Sequence, residues 1–254
     1  MNIQLIRNAT VRIEFASKTF LIDPFLAEKG AYPPFPNSVR QEQNNPLNEL
    51  PLSIEEIITG VDAVILTHLH LDHYDEAAKK ALPKNKKLFV QNEEDRLTIE
   101  QDGFTNVEVL TETSTFENIS LIKTKGEHGR GEILKMTGEV SGVVFKHESE
   151  RTLYVAGDTV WYEEIKQTIH THTPSVIIAN AGDNQFLEGG SLVMGKEDIL
   201  ALHRATSEST LIAVHMEAVN HWTLSREDLV LYAKEHGFSN QLIVPEDGQL
   251  IPSL

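Results

Sequence analysis

Residues 67–75 of this chain read THLHLDHYD, placing His68, His70, Asp72 and His73 in an H-x-H-x-D-H pattern. Imidazole and carboxylate together are the side chains that hold zinc, manganese and iron. His68 and His70 are two apart, so an extended or turning chain can aim both at one point, while Asp72 and His73 swing to an adjacent one. Two neighbouring clusters suit two divalent ions. The plainer reading is a set of loop histidines. The chain has 11 histidines in 254 residues, and at such frequencies four fixed letters arise by chance on the order of 10⁻³ times per chain. Three more metal-type residues stand at the ends of expected strands. They are His128 in KGEHGR, Asp158 in VAGDT and His215 in LIAVHME. Singly, each is a capping or solvated residue; jointly with the first motif they complete a ligand set, because sites in layered α/β folds gather at C-terminal strand ends. Two such ions lower the pKa of a shared water, so that hydroxide exists near neutral pH to attack a carbonyl or phosphoryl carbon or phosphorus.

The elements that must position these residues follow from apolar runs bounded by Gly, Pro, Asp or Asn. Strands are expected near 3–7, 11–15, 19–22, 63–67, 87–90, 106–110, 119–124, 140–147, 152–156, 175–180, 210–215 and 241–244. Helices are expected near 54–59, 74–82, 93–101, 161–170, 196–204 and 226–236. Ser53 with Glu56, and Ser225 with Asp228, are spaced as an N-cap and its acidic partner, and Gly237 stands where a helix C-terminus favours a left-handed residue. A meander followed by alternating strands and helices predicts an α/β fold of sheets covered by helices. Between them, 29–51 holds Pro33, Pro34, Pro36, Pro46 and Pro51, half of the ten prolines, with Tyr32 and Phe35. A structureless stretch that long is functional or disordered. Its aromatics favour a cover over the pocket, made with Phe25, Tyr32 and Phe35, or a subunit contact.

With 22 Lys+Arg against 38 Asp+Glu, the net charge of −16 disfavours nucleic acid as a partner. The lack of cysteine excludes disulfides, thiolate sites and a cysteine nucleophile. No apolar run approaches the ~18 residues of a membrane span, and the N-terminus alternates apolar and polar residues unlike a signal peptide. The expectation is a cytoplasmic, non-membrane protein acting on a small molecule, with self-association into a homo-oligomer left open.

These motifs resemble, in order and over essentially the whole chain, those of the metallo-β-lactamase superfamily; KTFLIDPF, with Asp23 and Pro24, resembles an early segment of that family. The similarity is greatest to the metal-dependent hydrolase branch that includes ascorbate-6-phosphate lactonase. It implies one domain over 1–254 with the proline-rich segment as an insertion. The implied fold is an αββα sandwich, two mixed β-sheets face to face with helices outside. It also implies that His68, His70 and His128 hold one metal, that Asp72, His73 and His215 hold the second, and that Asp158 bridges them. The ions expected are zinc first, manganese second, with iron an option. The activity implied is hydrolysis of a small lactone or ester, with or without a phosphate group, by a metal-bridging hydroxide; Asp72, Asp158 and His221 are the expected catalytic residues. The alternatives are a phosphodiesterase and a mononuclear iron dioxygenase. Where branch members have Gly-His-Ala, this chain has Arg7-Asn8-Ala9-Thr10.

His221, six past His215, reads equally as an acid or substrate contact and as a loop histidine, and Glu217 and Asn220 share that ambiguity. Asp183 is a turn residue or a support for metal-bound imidazoles. Arg130 is a surface ion-pair partner ahead of an anion contact. Thr171-His172-Thr173-Pro174 falls in the wrong order to supply a ligand, and His147, His170, His203 and His236 are expected in solvent.

Overall fold

The computed structural model describes residues 1–252 and 254. Its first sheet holds β1 (Asn2–Arg7), β2 (Thr10–Phe15), β3 (Lys18–Ile22), β4 (Ala63–Ile65), β5 (Lys87–Val90) and β6 (Val107–Val109), closed on the other side by β14 (Leu250–Ile251). The second holds β7 (Ser114–Phe116), β8 (Ile119–Gly126), β9 (Val140–Lys146), β10 (Leu153–Val155), β11 (Val176–Asn180), β12 (Thr210–Val214) and β13 (Leu242–Ile243). The strand orders are β14-β1-β2-β3-β4-β5-β6 and β13-β12-β11-β10-β9-β8-β7. Each sheet is mixed: β3 to β6 and β10 to β13 run parallel, and the hairpin strands run antiparallel. The helices are α1 (Ile54–Ile58), α2 (Glu76–Ala81), α3 (Glu93–Gln101), α4 (Leu134–Thr137), α5 (Glu163–His172), α6 (Lys196–Ala205) and α7 (Arg226–Glu235).

Central strands are apolar on both faces, as strands covered on both sides must be. Along β3, Phe20 and Ile22 enter the core between the sheets while Leu21 meets the outer helices. Along β11, Val176 and Ile178 point inward, and Ile177 and Ala179 point out to α5, α6 and α7. Phe145 bridges the layers, 5.5 Å from Phe15 and 5.1 Å from Phe20 between ring centres. Helices α1 to α3 seal the first sheet through Ile57, Ala78, Leu82 and Ile99. The expected αββα sandwich is therefore the observed one.

Several boundaries moved for identifiable reasons. β4 stops at Ile65, short of the expected 67, because the Thr67 N–H turns to Asp23 Oδ1 at 2.7 Å rather than to the ladder. β12 stops at Val214 because His215 adopts φ +60°. α5 is shifted to 163–172: Tyr162 is extended, and Thr173 takes a left-handed conformation ahead of Pro174. Both helix-start signals hold, with a full capping box at Ser53 and Ser225 Oγ accepting from the Asp228 N–H. The short strands β7 and β14 and the helical turns over 131–137 were not expected.

Two buried side chains help to anchor the proline-rich segment. Fully buried Arg7 donates to the carbonyls of Asn48, Phe25 and Ala27 and lies 5.0 Å over the Phe25 ring. Asn220 holds the other end. Its Oδ1 accepts from the Phe35 N–H and Asn45 Nδ2, and its Nδ2 donates to Ser38 Oγ and the Val39 carbonyl.

Candidate metal centre

The seven candidate ligands converge at one end of the sandwich, on loops leaving the C-terminal ends of strands from both sheets. His68, His70, Asp72 and His73 follow β4, His128 follows β8, Asp158 follows β10 and His215 follows β12. Ligand atoms of three overlapping sets, His68–His70–His128, His68–His73–Asp158 and Asp72–His73–His215, each lie within 4.8 Å of one another. All seven are buried except His70, which is half-buried.

Asp158 sits at the centre. Its Oδ2 lies 3.2 Å from His73 Nε2, 3.5 Å from His128 Nε2 and 4.0 Å from His68 Nε2, and its Oδ1 lies 3.7 Å from His215 Nε2. Gly157 makes this placement possible. Its φ is +70°, and a Cβ there would meet the Ser141 carbonyl oxygen at 2.5 Å, so only glycine fits. Burial opposes the charge on Asp158, but His73, His215 and His128 hold its pKa well below the carboxylate range. Burial likewise opposes the charge on Asp72, and the neighbouring imidazoles of His215, with Nε2 3.2 Å from Asp72 Oδ2, and of His73 override it downward. His73 shows the reverse balance: against burial, Asp158 and Asp23 push its pKa well above 6.5. These are the couplings of a cation-seeking cluster in which protons answer the carboxylates.

The donor set fits divalent ions. His68, His73 and His215 bury Nε2 atoms that make no aligned hydrogen bond, a costly state for a polar atom unless something else partners it. On two of the cluster's imidazoles the opposite ring nitrogen is held, while His215 Nδ1 is buried without a partner. His73 Nδ1 donates to Asp23 Oδ2 at 2.9 Å, and His128 Nδ1 to the Leu192 carbonyl at 3.0 Å. Those contacts put the proton on Nδ1 and leave the Nε2 lone pair facing the cluster, the usual support of metal-bound imidazole.

Three supporting residues went unread as such in the sequence. Asp23, seen there only in a family-like segment, also accepts from the Thr67 N–H and hydroxyl. Asn180, at the end of β11, donates to Asp158 Oδ1, which leaves Oδ2 as the oxygen turned to His73, His128 and His68. Asn8 donates to the Asp72 carbonyl at 3.0 Å and to its Oδ2 at 3.4 Å. Asn8, Asp23 and His215 all have positive φ, and strained backbone gathers at functional sites.

A cavity of about 210 Å³ opens onto the cluster, lined by His70, Asp72, His128, Asp158 and His221 together with Phe35, Leu71, Met136, Thr137, Phe186 and Leu192. His221 is in it. Its ring stands edge-on to Phe35 at 4.8 Å and stacks on Phe186 at 6.0 Å. Burial pushes its pKa down to about 4. Asn184 Nδ2 lies 3.3 Å from its Nε2, and its Nδ1 has no hydrogen-bond partner. The proline-rich segment covers this pocket through Phe35 alone. Phe25 and Tyr32 stack on each other at 6.3 Å instead, at the base of the segment.

The other residues weighed lie elsewhere. Glu217 pairs with Arg226, and Asn220 is a tether of the covering segment. Asp183 packs against Gly195, the residue capping α6. Arg130 makes a two-pronged surface ion pair with Asp198. His170 and His236 are exposed and His147 and His172 half-exposed; His203 departs from expectation, half-buried and stacked 5.0 Å from Phe238. Among the described residues, no helix is long and apolar enough to cross a membrane.

The chain is similar to known proteins over its whole length. UPF0173 protein YddR of Bacillus subtilis (strain 168) is 60% identical over 250 residues, covering 98% of both chains. The crystal structure of isothiocyanate hydrolase from Delia radicum gut bacteria matches with a TM-score of 0.95 at 38% identity, covering 100% of this chain and 99% of that one. A possible metal-dependent hydrolase from Veillonella parvula DSM 2008 matches with a TM-score of 0.96 at 39% identity, covering 99% and 98%. The model of the beta-lactamase superfamily domain fits residues 18–216, from the strand that leads into Asp23 to just past His215. With its paired seven-stranded sheets and its histidine–aspartate cluster at their shared end, the chain belongs to the beta-lactamase superfamily, on the metallo-β-lactamase fold.

Proposed function

We propose that this protein is a metal-dependent hydrolase of small, uncharged carbon electrophiles, working with two divalent ions, zinc first and manganese second. In this reading His68, His70 and His128 hold one ion, Asp72, His73 and His215 the other, and Asp158 contacts both. The observation that carries it is the pairing of this cluster with a small cavity whose lining adds Phe35, Leu71, Met136, Phe186 and Leu192 to the candidate ligands and includes no lysine or arginine. A phosphoryl group would find no cationic side chain there, which ranks phosphodiesters and phosphorylated substrates last. Bound divalent ions supply Lewis acidity, activating water and polarising the bond under attack.

The chain's own residues do the rest. Phe35, Phe186 and Leu192 hold the substrate's apolar part and exclude water. With Asn184 donating to Nε2, His221 carries its proton on Nδ1. It is neutral above about pH 4, and so offers a hydrogen bond rather than a charge to a substrate heteroatom. An isothiocyanate, the substrate in the name of the 38%-identical relative, suits this pocket: a linear, neutral N=C=S head on an apolar body. Water adds oxygen to the central carbon and a proton to nitrogen; the thiocarbamic acid formed then splits into an amine and carbonyl sulfide. A lactone or carboxylic ester offers the same kind of carbon centre and is the second substrate class. An iron dioxygenase needs one ion, and seven converging ligands exceed that.

The test is turnover by protein loaded with Zn²⁺ or Mn²⁺ on methyl isothiocyanate, δ-valerolactone, 4-nitrophenyl acetate and bis(4-nitrophenyl) phosphate. Chelator-sensitive hydrolysis of the isothiocyanate, or of the lactone or ester, is expected. Turnover of the phosphodiester alone, or oxygen uptake by the iron form, overturns the reading.

A further inference from the structure

Water-soluble proteins scatter exposed apolar residues singly, and gathering them has a purpose. The two most exposed large apolar side chains among the described residues are Met136 at 75% and Leu187 at 70%. Both line one groove of about 630 Å³, with Pro36, Ile133 and Phe186. The groove lies directly outside the cavity at the metal cluster: Met136 and Phe186 are walls of both. Three chain segments build it. The helical turns over 131–137 bring Ile133 and Met136, the 185–191 bridge brings Phe186 and Leu187, and the covering segment brings Pro36. The Leu187 N–H donates to the Asn37 carbonyl at 2.6 Å, tying two of them together. Glycine makes the third contact possible, since a Cβ at Gly189 would stand 3.2 Å from the Ile133 side chain. Glu132 and Glu188 also line the groove.

We infer that this groove is an outer subsite for the tail of the same substrate whose head reacts in the inner cavity, and that the tail is a neutral alkyl or aryl chain. The inference rests on the proposed function for the head and extends it outward. Adjacency selects the occupant: Met136 and Phe186 line both spaces, so a chain extending past them from the inner cavity meets the groove next. The rim selects its charge. Glu132 is paired with Lys135, which leaves Glu188, on a chain of net charge −16, to disfavour an anionic tail. The inner cavity sets the reaction, and the outer groove sets which substrates are held long enough to react.

The test uses n-alkyl isothiocyanates from methyl to hexyl as substrates and the matching n-alkylthioureas as unreactive probes, read by calorimetry on the metal-loaded protein. Burying each methylene is expected to tighten thiourea binding about fourfold. A carboxylate at the chain end is expected to abolish that gain. Leu187→Asp, at an exposed position where folding is not at stake, should weaken the hexyl probe at least tenfold more than the methyl probe. Affinity independent of chain length, or a Leu187→Asp variant with an unchanged slope, overturns the subsite. So does a change in molar mass by light scattering on Leu187→Asp, which would make the groove a contact between copies of the chain. Length-dependent thiourea binding without isothiocyanate turnover would fail the proposed reaction and keep the subsite; turnover indifferent to length would do the opposite.

Discussion

Replacing Asp23 by Asn changes one atom and should cost a metal. Asp23 is fully buried and accepts three hydrogen bonds, from the Thr67 N–H at 2.7 Å, the Thr67 hydroxyl at 2.6 Å and His73 Nδ1 at 2.9 Å. Its φ of +44° is one that Asn tolerates as well as Asp, so the exchange adds no backbone strain. The Asn oxygen can keep the Thr67 N–H, but its NH₂ then faces His73 Nδ1. The imidazole must give up its Nδ1 proton and carry it on Nε2, the atom turned toward Asp158 at 3.2 Å. Nε2 then has no lone pair for a cation. Losing a support of this kind lowers metal affinity about 10–100-fold, or ~1.4–2.8 kcal/mol. The loss should be selective, since His73 shares one set with Asp72 and His215 and another with His68 and Asp158, but none with His70 or His128. The assay is competition of Zn²⁺ against a chromophoric chelator on metal-stripped protein, with two binding steps resolved. Asp23→Asn should weaken one step and leave the other within about twofold, with the fold intact by circular dichroism. Two unchanged steps would refute the assignment of Asp23 as the residue that sets the His73 tautomer; equal weakening of both would refute the division into two ligand groups.

Asp158→Asn should lose one ion per chain and most of kcat, several kcal/mol of transition-state stabilisation at ~1.4 kcal/mol per tenfold, while the melting temperature falls only by the lost metal's binding free energy; retention of both ions with a normal rate would contradict its bridging position. Asn220→Ala removes the tether of the covering segment and should raise KM and cost about 1–3 kcal/mol of stability, with metal content unchanged; a loss of metal would show the segment acting on the ligands themselves. His221 has its pKa pushed down to about 4 by burial, so it is neutral on both sides of pH 7. Its replacement by Ala should lower kcat/KM by a similar factor from pH 6 to 8, and a limb in that range that vanishes in the variant would overturn the neutral role.

The candidate ligands, which converge in the structure, were legible in the sequence because each announces itself locally. His68 to His73 form a dense motif, and His128, Asp158 and His215 follow recognisable strands, so a one-dimensional pattern sufficed. The αββα layering followed from apolar runs with the same logic. Their supports are different in kind. Asn180 is an ordinary strand-end residue until β10 and β11 pair in parallel and bring it to Asp158, and Asn8 meets Asp72 across 64 positions of chain. Such residues carry no spacing signal. β7 and β14 are too short for periodicity to mark, with three and two residues. The 131–137 turns are hidden between Gly129, Gly131 and Gly138, all at positive φ. The proline-rich stretch signalled a cover but not its contact, because which aromatic reaches the pocket depends on where Arg7 and Asn220 pin the segment.

The most direct measurement is the metal-to-chain ratio of protein saturated separately with Zn²⁺ and Mn²⁺, desalted, and assayed for hydrolysis on the same sample. Two ions per chain, with activity that tracks occupancy and vanishes on chelation, is the expected result. A ratio that stays at or below one under saturation, or activity confined to protein holding a single iron, would contradict a two-ion hydrolytic centre.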